Sequence, residues 1–389
     1  MTASKSTHLV WLIAGLILVG FVMRSPLSSV GPILPGIRDD LGLSAAVAGL
    51  SGTIPLVCFA IFALATPFLV ARFGPEKTLG GAVLVIAASV LLRSAGGVEL
   101  FFLGTALIGV GIAVANVVLP GVVRERFPER IPTLSVMNVV VMNVGAALAS
   151  AVSLPLARDL GLGWRGGLAV WAVPAFVAVL AWTLAAKSVL ADDHGRRRVR
   201  TPPTGMDRVA RRPKTWFLGI LFGSQSAGIY TLLTWLATIL RDHGVDAATA
   251  GLLVGAISAL GIVGALGVGR LVQRGHLRPT FLVMVAAYTT GLLLLGVSGP
   301  VAIVGTLLCG VAQGACFSMV LTLISRQDDA ADVPATSALV QGVGYVLACV
   351  APFLVGALFD LTGSWWPPLW VVAGLMALSG VMGVLVTRR

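Results

Sequence analysis

The chain has 389 residues, of which 57% are hydrophobic and only 11% charged, and it carries a net charge of +11. That balance excludes an ordinary soluble globular domain and a disordered chain. In a soluble protein so basic a balance would point to nucleic acid. Here Lys and Arg flank apolar segments, as loops on the positive side of a membrane do, and no nucleic-acid partner is expected.

Twelve apolar segments run over 9–34, 46–71, 78–95, 99–123, 133–157, 166–187, 215–240, 247–272, 279–298, 300–325, 335–359 and 366–387. A bilayer crossing needs about twenty such residues. The expected fold class is an all-α integral membrane protein with twelve transmembrane helices. The first segment has only Lys5 ahead of it and no small-x-small cleavage pattern after it, so it reads as a span rather than a signal peptide.

That first segment holds Arg24. At 1.5 Å per residue the guanidinium lies roughly 22 Å in, near the middle of the bilayer. A cation there costs on the order of 2.5–3.5 kcal/mol unless something offsets it. Helical spacing places Gly20, Arg24, Ser28 and Gly31 on one face, and Pro26 frees the carbonyl of Val22, so a distortion beside Arg24 is expected. Arg93 falls near the end of the third segment, where snorkelling or an outer-gate role is expected and solute contact is the other reading. Asn116 lies in the fourth segment and Asn138 and Asn143 in the fifth. Gln225, Ser226, Tyr230, Thr231 and Thr234 lie in the seventh, Gln313 in the tenth, and Gln341 and Tyr345 in the eleventh. The preferred solute-binding set is Arg24, Ser28, Asn116, Asn143, Gln225, Tyr230, Gln341 and Tyr345. Each Asn or Gln has an equal reading as glue between helices, worth roughly 0.6 kcal/mol. Trp235 reads as an apolar wall of the cavity or as an interfacial aromatic.

Between Lys187 and Lys214 the chain turns polar, with Arg196-Arg197-Arg198 and Pro202-Pro203. This predicts an N-terminal six-helix bundle over 1–187, a basic linker over 188–214 and a C-terminal six-helix bundle over 215–389. With the N-terminus inside, most of the 27 Lys and Arg residues fall on the cytoplasmic side, so both termini are expected there. A shift of 202 residues lays Ala45-Ala46-Val47-Ala48-Gly49-Leu50 on Ala247-Ala248-Thr249-Ala250-Gly251-Leu252. It also pairs Arg72 with Arg274, Gly161 with Gly363, Trp164 with Trp366 and Arg24 with Ser226. Two parallel six-helix repeats follow, an arrangement that places a solute at the midplane between them.

All sixteen carboxylates and all four histidines map to loops or segment ends, so a buried proton shuttle is not expected. The four cysteines lie in apolar segments and read as packing. No metal-ligand spacing, nucleophile–base pair or phosphate loop is present, so neither an enzyme nor a cofactor is expected.

The junction Pro67-Phe68-Leu69-Val70-Ala71-Arg72-Phe73-Gly74-Pro75-Glu76-Lys77 resembles the major facilitator signature Gly-x-x-x-Asp-Arg-x-Gly-Arg-Arg. Arg72, Gly74 and Lys77 match; Pro67 stands for the first Gly and Ala71 for the Asp. The second copy, Gly269-Arg270-Leu271-Val272-Gln273-Arg274-Gly275, has Gln273 in place of the Asp. The resemblance implies a cytoplasmic gate loop at Arg72 and Arg274, with its charge-paired form lacking the Asp. The run Gly104 to Gly121 followed by Val122-Val123-Arg124-Glu125-Arg126-Phe127-Pro128 is similar to the cyanate/nitroimidazole branch of that superfamily. So are Arg24 ahead of Gly31-Pro32-Ile33-Leu34 and the run Ile86 to Ser94. This likeness implies a monomeric carrier in the bacterial cytoplasmic membrane, moving a small solute by alternating access. The solute it implies is anionic or nitro-bearing. Two rivals stand beside it: a proton-linked exporter of hydrophobic drugs, which calls for a wide aromatic cavity with a buried carboxylate, and a membrane sensor, which binds without moving its ligand.

Overall fold

In hydrocarbon every backbone N–H and C=O must find its partner within the chain, so long apolar runs become helices. The computed structural model describes residues 2–192, 206–325 and 333–387, and among these there is no strand. The first span is broken into α1 (Thr2–Val22), α2 (Ser25–Ser28) and α3 (Val30–Leu41). Then come α4 (Ala45–Phe73), α5 (Pro75–Ser94), α6 (Val98–Arg126), α7 (Ile131–Arg158), α8 (Gly163–Ala169) and α9 (Ala172–Asp192). A short α10 (Met206–Ala210) precedes α11 (Pro213–Asp242), α12 (Ala247–Gln273), α13 (Leu277–Leu294), α14 (Pro300–Ser325), α15 (Val333–Thr362) and α16 (Trp366–Val386). Among the described residues, twelve stretches of helix are long and apolar enough to cross a membrane. Most of the stretch expected to be a polar linker, 193–205, lies outside the described residues; within it, α9 extends to Asp192 and Met206–Ala210 is helical.

The repeat is visible in the turns. Gly42 and Gly244, 202 residues apart, both take positive φ (62° and 85°), as do Gly161 and Gly363 (66° and 63°), where a side chain would be strained. After the first pair, Ser44 accepts a hydrogen bond from the Val47 N–H at 3.2 Å and Asp246 accepts one from the Thr249 N–H at 2.9 Å, again 202 apart. These are the N-caps of α4 and α12. Asp40 and Asp242 each accept an indole N–H at 2.9 Å, from Trp164 and from Trp365. The second donor is Trp365 rather than Trp366, because the first-half loop carries one more residue, including a second positive-φ glycine, Gly163. The Trp164 indole and the Arg165 guanidinium, 2.9 Å away, hold the Asp40 carboxyl below the usual carboxylate range.

The two halves meet on the side of the bundle away from the chain termini. Gly31 of α3 lets its backbone lie against the Leu233 carbonyl of α11, and Gly49 of α4 does the same against Pro352 of α15. Gly251 and Gly255 of α12 lie against the backbone of Ser150 and Ala147 of α7. Polar contacts tie the same surfaces. The Asp360 carboxylate of α15 accepts the Ala45 N–H at 3.0 Å and the Ala46 N–H at 2.7 Å, capping α4 from the opposite half. The Thr53 hydroxyl donates to the Cys349 carbonyl at 2.6 Å. Those made by α4 and α15 lie before Phe59 and after Tyr345, and with the α3–α11 and α7–α12 contacts they seal this side of the bundle.

Candidate functional site

The break in the first span is built from local chemistry. Pro26 has no N–H to give the Val22 carbonyl, and the chain leaves the helix at Met23 and Arg24, re-enters at Ser25 and turns again at Ser29. The expected distortion is therefore present, and it splits the single face drawn through Gly20, Arg24, Ser28 and Gly31. Gly20 packs against Asn138 of α7, while Gly31 packs against α11. Ser28 is fully buried, with its carbonyl accepting the Ser150 hydroxyl of α7 at 3.1 Å and its own hydroxyl unpaired.

Arg24 sits at the break and is half-buried. Among the described residues its guanidinium has neither a hydrogen bond nor an ion pair. It lies close enough to Tyr230 of α11 and Tyr345 of α15 to act electrostatically on both hydroxyls, so it faces the other half. Phe59 of α4 closes the group, its ring 6.3 Å from that of Tyr230 and 5.4 Å from that of Tyr345, both edge-on. Phe222 packs on the far side of Tyr345 at 5.3 Å. Beyond this group, toward the sealed side, a cavity of about 20 Å³ lies between Leu27, Ser51, Pro55, Tyr230 and Thr234. It has room for about one water.

Of the eight preferred residues, the structure brings Arg24, Tyr230 and Tyr345 near one another, and the contacts of the others are with other groups. Gln225 is buried between helices of the second half, its amide 3.5 Å from the Gln313 carbonyl and its Oε1 unpaired. The Asn143 amide donates to the Val139 carbonyl at 2.9 Å and that of Gln341 to the Ser337 hydroxyl at 2.9 Å, each one turn back on its own helix. Asn116 is exposed on α6. Trp235 is fully buried, donating to the Pro352 carbonyl at 2.9 Å and packing its ring 5.6 Å from that of Trp365. Phe59 carried no sequence signal, being one apolar residue in an apolar run.

Arg93 corrects the snorkelling expectation. It is 0% exposed and turns inward, with Nη1 donating to the Pro26 carbonyl at 2.9 Å and Nη2 to the Ser29 hydroxyl at 3.4 Å. The broken helix offers acceptors that an intact one would have used itself. Arg72 and Arg274 are exposed, and the Arg72 guanidinium stacks over Phe73 at 5.4 Å. The ion pair at the first-half loop is made by other residues: Glu76 at the start of α5 and Arg126 at the end of α6, 2.7 Å apart. The Asp missing from the signature is thus matched by a pair that the spacing did not reveal.

Twelve spans among the described residues, with an intramembrane guanidinium that has no partner among them, fit a membrane transporter of small solutes. Among the described residues no three His, Cys, Asp or Glu side chains could hold a metal. The profile of the Major Facilitator Superfamily matches residues 16–352, and the chain belongs to that family. It is 33% identical over 394 residues to the 2-nitroimidazole transporter of Escherichia coli (strain K12), covering 100% of this chain and 98% of that one. It is 30% identical over 373 residues to the cyanate transport protein CynX of the same organism, covering 94% and 95%. Among solved structures, a bacterial homologue of the human lysosomal transporter Spinster superposes with a TM-score of 0.81 at 14% identity, covering 98% of this chain and 97% of that one. The chain is a multi-pass membrane protein and not an enzyme.

Proposed function

We propose that this carrier moves a small, planar, anionic or nitro-bearing solute, and that Arg24 is its principal contact. The observation that carries this reading is a guanidinium without a partner among the described residues, within electrostatic reach of two tyrosine hydroxyls whose rings pack against Phe59. A guanidinium fork fits planar two-oxygen acceptors such as a carboxylate or a nitro group, and its charge also suits a small linear anion such as cyanate. Aromatic edges and hydroxyls then suit a flat solute held edge-on to the fork. One similar transporter is named for 2-nitroimidazole, a planar nitro-bearing solute, and another for cyanate, a small linear anion, and both names support a compact solute for the fork.

The excess of Lys and Arg on one side supports an orientation with both termini in the cytoplasm of a bacterium, and the carrier is proposed to work as a monomer. On that orientation the sealed side is periplasmic and the arrangement faces inward. An empty Arg24 resists closure into a dry site, because an unpaired cation would lose its remaining solvation. A bound anion removes that obstacle, which favours movement of the loaded carrier. No carboxylate at this depth supports a proton relay.

Uptake into proteoliposomes tests the reading. The panel is cyanate, 2-nitroimidazole, small planar carboxylates and their neutral amides, with and without a pH gradient. Saturable uptake of one or more of the anionic or nitro-bearing solutes, with the amides excluded, is expected. Transport of the amides at the same rate, or binding with no uptake at all, would overturn it.

A further inference from the structure

Away from the site between the halves, an open groove of about 370 Å³ runs between α4, α5 and α6 on the outer wall of the first half. Leu69 and Phe73 form one wall, Val110 and Val114 another, and Lys77, Gly81 and Val85 line the third. The last three follow one another at i, i+4 and i+8, so they form a single stripe along α5 with the ammonium at its end. The floor is tight, since a side chain at Gly111 would meet Ile86 and the Ala82 carbonyl at 2.6 and 2.8 Å. At Gly81 nothing lies within 4 Å of where a side chain would begin. The groove is therefore apolar along its length and open at Gly81.

Its chemistry at the terminal side is cationic. Lys77 is exposed and has no ion pair among the described residues. The Arg72 guanidinium lies over the ring of Phe73, which lines the same groove as Lys77. The nearby carboxylate, Glu76, is engaged with Arg126 at 2.7 Å. The second repeat has no counterpart: the 202-residue shift puts Pro279 at the place of Lys77 and Val283 at the place of Gly81.

We propose that this groove is a binding site for an anionic phospholipid, with one acyl chain along Gly81 and Val85 and the phosphate between Lys77 and Arg72. The depth from α4 to α6 is apolar and faces the membrane, which suits an acyl chain. The two cations at the membrane boundary suit a phosphate bearing net negative charge, and they discriminate against a zwitterionic headgroup. The lipid thereby bridges three helices of the first half only.

Native mass spectrometry of the full detergent-solubilised chain tests this, titrated with phosphatidylglycerol or phosphatidylcholine of the same acyl composition. The expected result is one tightly retained phosphatidylglycerol. Retention should fall about fivefold in Lys77→Gln, by the loss of one cation at the surface. It should vanish in Gly81→Leu, whose side chain occupies open space rather than the packed core. Equal retention of the two lipids by the wild type would overturn the proposal. So would wild-type retention of phosphatidylglycerol by both variants, each confirmed as folded by an unchanged melting temperature.

Discussion

Two arginines lie in the spans of the first half, and the structure treats them in opposite ways. Arg93 is wholly buried and gives two hydrogen bonds to the broken first helix. Arg24, on that same break, is half-buried and gives none to the described residues. A buried cation with acceptors is structural, and removing it leaves those acceptors in the dark. Arg93→Ala should therefore lower unfolding stability by about 2–3 kcal/mol, as for hydrogen bonds to charged groups, read as a fall in melting temperature in detergent. Arg93→Lys should restore part of it. Arg24→Ala should leave stability unchanged or raise it, since only an unpaired charge is lost. A larger fall for Arg24→Ala than for Arg93→Ala would reverse this assignment. Arg24 was legible in the sequence because a lone cation in an apolar run stands out by depth alone. The direction of Arg93 was not, because its partners are a backbone carbonyl and a serine that are available only where the helix breaks. At Asn143 and Gln341 the amide donates to an acceptor one turn back on its own helix, a contact that the sequence did not point to.

At the scale of helices, the seal between the halves rests on glycine contacts and one capping carboxylate. Asp360 of α15 accepts two N–H groups at the first turn of α4, where the helix dipole also favours a negative charge. Opening this side requires that cap to part. Asp360→Ala should weaken the sealed state by about 1 kcal/mol. Cys349 reports on it, being half-buried in the seal while Cys58, Cys309 and Cys316 are buried. Its alkylation by a membrane-permeant maleimide should quicken about fivefold in Asp360→Ala, the factor that such an energy implies. An unchanged rate, with Cys349→Ser confirming the labelled site, would show that the cap does not hold the seal. In sequence Asp360 was simply one more carboxylate at a segment end. Its partner lies 314 and 315 residues away along the chain, and no local pattern encodes that contact.

At the scale of the whole molecule, twelve spans were legible because hydrocarbon imposes length, and the turns repeat their chemistry 202 residues apart. Gly42 with Gly244 and Ser44 with Asp246 keep one register through the copy. The two copies differ where the solute site is proposed: the first span breaks at Arg24, whereas α11 runs unbroken through Ser226. That asymmetry leaves one half to supply the charge and the other to supply Tyr230 and Tyr345. Binding of one transported planar anion and its neutral amide, measured by isothermal titration on the wild type, Arg24→Lys and Arg24→Gln, bears most directly on this division. The wild type should favour the anion. Arg24→Lys, which keeps the charge without the planar fork, should lose about tenfold in anion affinity, and Arg24→Gln should no longer distinguish the pair. Wild-type preference for the anion in Arg24→Gln would contradict the proposed role of Arg24.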